Sequence, residues 1–353
     1  MARICALNNY PLMKMWELAR RDAIPRQHLW GVDALAEHGD NVGIAPFHEP
    51  HERRLLDRLS SRSRRLLGHI DQEAYALRRL AASDVLYCAD QIGLSGLALA
   101  RGVLPAVRFV SVVHHPVHNV LRATALARQD VLVCLSDTLA SELRRELPRR
   151  RAHVVHLPWG PDLSWSLYRS RGDENGVVSA GKSNRDLRTL ARALEISGAP
   201  GIVYDLAREL PAPPNPAVRL VGPGDMNGID PDAPAQYLAA RVLDDVAAAS
   251  VVAVPVRDPS RLTGLTEVAD ALALGKPVIA SRSPYFPFDI EQIGCGIWVE
   301  PEDVDGWARA ISELLTDAEA RARMGGAGRR FAELQWNYKR FCDGLCGLIH
   351  GLA

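Results

Sequence analysis

The twenty residues Leu262–Ser281, LTGLTEVADALALGKPVIAS, carry the most decisive local pattern in this 353-residue chain. A small-residue turn at Thr263-Gly264 opens a helical stretch with acids at Glu267 and Asp270. That stretch ends at Gly275, and Lys276-Pro277 leads into the apolar run Val278-Ile279-Ala280. N–H groups at a helix start are unpaired and carry partial positive charge, so the turn Gly264-Leu265-Thr266 is suited to holding phosphate. Carboxylates on the first turns are placed to accept hydrogen bonds from sugar hydroxyls beside that phosphate. The plainer readings are an exposed helix charge at Asp270 and a first-turn acid favoured by the helix dipole at Glu267.

Working outward, short apolar strands alternate with helical patterns. Arg3–Leu7, Val85–Cys88, Phe109–Val113, Val131–Leu135 and His153–Leu157 form one series. After Pro158 the stretch PWGPDLSWSLYRSRGDENG has turn-formers and no helical period, as a linker does. A second series follows at Val177–Ala180, Gly201–Tyr204, Val218–Val221, Val251–Val256, Val278–Ala280 and Gly296–Val299. Helices are expected over Asp186–Leu194, Ala235–Ala248, Glu267–Leu274, Trp307–Leu315, Ala318–Met324 and Trp336–Ile349. Such alternation predicts an α/β protein of two parallel sheets, each covered on both faces. Ligands collect at the carboxyl ends of such strands, which singles out the loops after Ala180, Val256, Val113 and Leu135.

Composition agrees with a globular chain, at 47% apolar and 24% charged residues. No apolar run approaches the roughly twenty residues of a membrane span, and the start has no signal-peptide core. The six cysteines are scattered and form no metal-ligand pattern, so a reducing, cytoplasmic location is expected. The net charge of zero hides an asymmetry: residues 1–158 hold 22 Lys+Arg against 16 Asp+Glu, and the rest reverses the imbalance. Either the first half meets an anionic surface, or the halves attract one another. Residues 51–80 form an amphipathic pattern, with Leu55, Leu59, Leu66 and Ile70 beside Arg54, Arg58, Arg62 and Arg65. Such a helix lies on anionic lipid or packs on its own sheet.

The loop Ser179–Asp186, SAGKSNRD, follows the first strand of the second series. Gly181 permits close backbone approach, and Lys182 and Arg185 supply positive charge. In the first series His114, His115 and then His118 follow a buried strand, Asn8-Asn9-Tyr10 follows the first strand, and Ser136 is placed as a helix cap.

The run Asp270–Ala280, DALALGKPVIA, with its preceding loop resembles the donor-binding helix of GT-B glycosyltransferases. The retaining family 4, or group 1, enzymes are the nearest likeness. That resemblance implies two Rossmann-like domains facing a central cleft, with boundaries here at 1–160 and 161–333. It also implies a final helix, 334–353, crossing back to the first domain. It implies transfer of a sugar from a nucleotide-diphosphate donor, a co-substrate rather than a cofactor, to an acceptor hydroxyl, with retention and without metal. The donor residues would be Gly181, Lys182, Arg185, Gly264, Leu265, Thr266, Glu267 and Asp270, with Asp270 on the ribose. His114 or His115 would stand near the reacting carbon with Lys182 and Arg185 on the diphosphate, and Asn8, Asn9 and Tyr10 would meet the acceptor. The acceptor class would be a glycan, a lipid-linked sugar or a natural product, with no nucleic acid involved. Peripheral contact with the inner face of an anionic membrane is also expected. The family often carries two acids eight residues apart; here the first falls on Leu262, and the nearest upstream acid is Asp258. Gly264-Leu265-Thr266 resembles a variant that lacks this acid. The alternatives are a nucleotide-sugar epimerase on the same scaffold and a non-catalytic GT-B partner subunit.

Overall fold

Runs such as VLYC, VLVC and VVAV are apolar at every position, and in the computed structural model each is a strand buried along its whole length. A strand covered on both faces has no polar side to present, so its residues do not alternate. The structure describes residues 1–48, 70–104, 107–147, 152–169, 172, 176–225 and 239–352, excluding the side chains of 239–241. The chain divides into two compact units.

The first unit comprises Met1–Arg21, Arg26–Trp159 and Tyr338–Ala353. Its strands are β1 (Arg3–Leu7), β2 (Asn41–Ile44), β3 (Val85–Cys88), β4 (Arg108–Val113), β5 (Val131–Cys134) and β6 (His153–His156). All are parallel, in the order β2-β1-β3-β4-β5-β6. Helices α1 (Leu12–Arg20), α2 (Val32–Glu37), α3 (Ile70–Arg79), α4 (Ser95–Leu99), α5 (Val120–Ala127) and α6 (Asp137–Glu146) connect them. Strand β2 has no counterpart in the sequence reading. It is an edge strand of four residues containing Gly43 and only partly buried, so its apolar signal is weak. Ser136 caps α6 as expected, its Oγ accepting from the Leu139 N–H at 3.3 Å.

The helix Tyr338–His350 packs within this unit. The Tyr338 hydroxyl donates to Asp33 and accepts from the Gly31 N–H at 2.9 Å. Phe341, Leu345 and Ile349 are buried on the same helix.

The second unit comprises Asp22–Pro25 and Gly160–Asn337. Strands β7 (Val177–Ser179), β8 (Gly201–Tyr204), β9 (Val218–Val221), β10 (Val251–Val254), β11 (Val278–Ser281) and β12 (Gly296–Val299) are parallel. Their order is β12-β11-β10-β7-β8-β9. Helices α7 (Leu187–Ser197), α8 (Ala239–Ala247), α9 (Leu265–Ala273), α10 (Ile290–Ile293), α11 (Val304–Thr316) and α12 (Ala318–Leu334) complete it. Trp307, Ile311 and Leu314 of α11 are buried with Leu190 and Leu194 of α7 in one core. The expected helix at 318–324 runs ten residues further, through Gly325-Gly326. A side chain at Gly325 would collide with the Gly275 carbonyl, and one at Gly328 would meet Leu272. These glycines let α12 approach α9 closely, which offsets their poor helix propensity. Residues 51–69 of the amphipathic pattern lie outside the described residues.

Candidate functional site

In the second sheet β7 and β10 are neighbours, and the chain leaves them in opposite directions across the sheet. Their carboxyl ends therefore open the one crevice in this order where connections diverge, the place where open α/β sheets hold ligands. The loops that follow, 180–186 and 255–264, are laced together. Asn184 Nδ2 donates to the Asp258 carbonyl at 2.9 Å and to Thr263 Oγ1 at 3.1 Å, and its Oδ1 accepts the Asp258 N–H at 3.0 Å. Arg185 bridges Val256, and the Asp186 N–H reaches the Pro255 carbonyl at 3.1 Å. Asn184 has φ of 55°, a left-handed conformation that asparagine tolerates better than most residues. It thereby sets the path of both loops.

Arg185 turns back under the first loop. Its guanidinium lies against Gly181 so closely that a side chain there would overlap both Arg185 and Glu267. Arg185 pairs with Glu267 on the first turn of α9, and its Nη1 donates to the Ser183 carbonyl at 2.7 Å. The side chain is only 5% exposed, and its Nε has no hydrogen-bond partner among the described residues. A buried cationic donor left unsatisfied is costly, and an anionic oxygen would satisfy it. Lys182, partly buried, stands three residues before it on the same loop.

Gly264, at φ 88°, precedes α9 and has no side chain with which to cap it. Leu265 is buried and Thr266 half-buried. Leu262, the position where the first family acid would fall, is a buried apolar residue. Glu267 is a first-turn acid of α9 and is also the counter-ion of Arg185. Asp270 is buried and not an exposed helix charge; its Oδ1 accepts the Tyr168 hydroxyl at 2.6 Å. Burial pushes the Asp270 carboxyl up to about 7; the Tyr168 hydrogen bond opposes this and the neighbouring Glu267 charge adds to it. Tyr168 escaped the sequence reading because it lies in the irregular segment before β7, where no periodicity points to its partner.

In the first unit β1 and β3 flank the corresponding divergence, with β4 beside them. Asn8 is buried and Asn9 exposed, and the Asn8 Oδ1 accepts the Asn9 N–H at 2.8 Å. Tyr10 is turned inward. Its hydroxyl donates to the His28 carbonyl at 2.5 Å and accepts from Trp30 Nε1 at 2.6 Å, so this side chain is committed to the interior. His114 and His115 follow β4, and Gln91 Oε1 accepts both of their N–H groups, at 2.9 and 2.8 Å. The His114 ring packs edge-on against Trp30 at 4.7 Å, and its Nε2 meets the Ala89 carbonyl at 2.8 Å. A carbonyl only accepts, so Nε2 carries the proton. Burial lowers His114 to about 4, so at neutral pH the ring is uncharged and its Nδ1 is an acceptor. His115 is exposed. Gln91, which anchors both histidines, had no signal in the sequence.

The fold and the segment at 250–331 each have known counterparts. Residues 250–331 match the family described as Glycosyl transferases group 1. The chain has the GT-B fold of these enzymes. It is similar in structure to sucrose-phosphate synthase from Thermosynechococcus elongatus, with TM-score 0.71, 17% identity and 99% of each chain covered. It is also similar to Anabaena HepE in complex with UDP-glucose, with TM-score 0.68, 14% identity, and 99% of this chain and 100% of that one covered. More particular likenesses come from sequence. Over 112 residues the chain is 34% identical to a GDP-mannose-dependent monoacylated alpha-(1-6)-phosphatidylinositol monomannoside mannosyltransferase of Corynebacterium glutamicum, covering 31% of this chain and 29% of the relative. Over 102 residues it is 38% identical to a D-inositol 3-phosphate glycosyltransferase of Corynebacterium kroppenstedtii, covering 28% and 22%. These matches span less than a third of the relatives' lengths. Among the described residues no helix is long and apolar enough to cross a membrane.

Proposed function

We propose that this protein is a glycosyltransferase that moves a hexosyl group from a nucleotide-diphosphate sugar to an acceptor hydroxyl. The observation that carries the reading is Arg185. It is a buried guanidinium lying on Gly181 at the divergence of the second sheet, beside Lys182 and opposite the start of α9, with one donor unsatisfied among the described residues. That is the chemistry a diphosphate completes. Lys182 and Arg185 would neutralise the departing diphosphate, and Asp270 would accept hydrogen bonds from the ribose hydroxyls. Electrostatic stabilisation of the leaving group is then the main catalytic contribution.

The family likeness supports retention of configuration and a metal-independent reaction. The bond between the anomeric carbon and the phosphate oxygen breaks. The acceptor oxygen bonds to that carbon on the same face, and its proton passes to the departing phosphate oxygen. His114 Nδ1 is an acceptor at neutral pH, suited to a hydroxyl of the donor sugar. The relatives' names make GDP-mannose the first donor to try and an inositol-containing acceptor the first partner, with a cytoplasmic protein working at a membrane face as the setting.

The test is to incubate the protein with GDP-, UDP- and dTDP-sugars, with and without inositol phosphate or a phosphatidylinositol mannoside. Nucleoside diphosphate release that depends on acceptor, with a retained anomeric product by NMR, is expected. Conversion of one nucleotide-sugar into its epimer without acceptor would favour the epimerase reading, and no turnover of any donor would favour a non-catalytic partner.

A further inference from the structure

Tyr168 reaches the site from a segment whose own conformation is fixed. The turn before it is closed by the Trp165 N–H on the Asp162 carbonyl and the Tyr168 N–H on the Trp165 carbonyl, both at 3.1 Å. Asp162 Oδ1 also accepts the Ser164 N–H at 3.1 Å. The Trp165 indole packs edge-on against the Tyr168 ring at 5.0 Å and donates from Nε1 to the Asp22 carbonyl at 2.9 Å. Both rings are buried. A phenol held this firmly fixes whatever it bonds, and its hydroxyl meets Asp270 Oδ1 at 2.6 Å across 102 residues of sequence.

We propose that Tyr168 is a positioning residue that holds the Asp270 carboxyl by Oδ1 so that Oδ2 meets a ribose hydroxyl, and that this contact sets the preference for ribonucleotides over 2′-deoxyribonucleotides. The inference rests on the reading of Asp270 as the ribose acid. A carboxylate has about four acceptor directions, so a bond to Tyr168 and bonds to a ribose are compatible. An unheld aspartate must also lose rotamer freedom when the ligand arrives, and the tyrosine removes that cost beforehand. Phenylalanine at 168 would keep the ring packing on Trp165 and delete only the hydroxyl.

The experiment titrates the intact protein calorimetrically with GDP, 2′-deoxy-GDP, UDP and 2′-deoxy-UDP. It compares wild type, Tyr168→Phe and Asp270→Asn, with melting temperatures measured on the same samples. Wild type is expected to favour the ribonucleotide, and Tyr168→Phe to lower its affinity about tenfold while leaving the deoxy affinity unchanged. The ribo-to-deoxy ratio is the readout, because a general loss of structure lowers both affinities together. An unchanged ratio in Tyr168→Phe, with Asp270→Asn still abolishing the preference, overturns the role of Tyr168 alone. No ribo preference in wild type, or no nucleotide binding at all, overturns the assignment of Asp270 beneath it.

Discussion

Replacing Asp270 by asparagine should make the protein more stable and a poorer nucleotide binder, and the stability gain should depend on pH. Burial raises this carboxyl from its ordinary 3.8 to about 7 in the folded state. Between those values the unfolded chain has released a proton that the folded chain still holds, so stability falls as pH rises. The loss begins near pH 4 and is complete above about pH 7. Each pH unit crossed is worth about 1.4 kcal/mol, so the full loss is of the order of 4 kcal/mol. Asparagine keeps the shape and an acceptor for Tyr168 without ionising. The variant's advantage over wild type should therefore grow by about 3 kcal/mol between pH 5 and pH 8. Urea unfolding of both proteins across that range, followed by fluorescence and circular dichroism, reads the difference directly. A difference that is flat with pH, or larger at pH 5 than at pH 8, would refute the reasoning. Wild-type ribonucleotide affinity should fall as pH drops below about 7, because the carboxylate is the form that accepts from the ribose.

Three further outcomes follow from the same geometry. Lys182→Ala should weaken nucleoside diphosphate binding by about 1.5–3 kcal/mol and leave nucleoside binding nearly unchanged, as calorimetry will read. Glu267→Ala strips Arg185 of its counter-ion and should destabilise the protein by roughly 3–5 kcal/mol, with GDP or UDP giving a larger rise in melting temperature than in wild type. His114 should be in the Nε2-protonated tautomer at neutral pH by nitrogen NMR, with a midpoint near 4 rather than 6.5. Its lowered value means that stability present above pH 6.5 is lost as pH falls towards that midpoint.

Most of the architecture was legible because buried parallel strands are runs of apolar residues between turn-formers. Strand β2 was not, since an edge strand with a glycine carries little of that signal. The position of α9 was legible from the glycines and proline that bound it. What periodicity could not give was partnership. The bonds from Tyr168 to Asp270, from Arg185 to Glu267, and from Gln91 to the two histidines join residues far apart in sequence, and each depends on how loops at sheet ends are laid. Tyr10 illustrates the same limit: its sequence context suggested an available hydroxyl, and the fold spends it on His28 and Trp30.

The central claim is that Gly181, Lys182 and Arg185 form a diphosphate site. Its most direct test is calorimetric titration of wild type and Gly181→Val with GDP, UDP and the corresponding nucleosides. Valine at 181 would drive its side chain into Arg185 and Glu267. The account predicts that wild type binds one diphosphate far more tightly than its nucleoside, and that Gly181→Val, still folded, loses that difference. Equal affinity of wild type for diphosphate and nucleoside, or an undiminished difference in the variant, would contradict it.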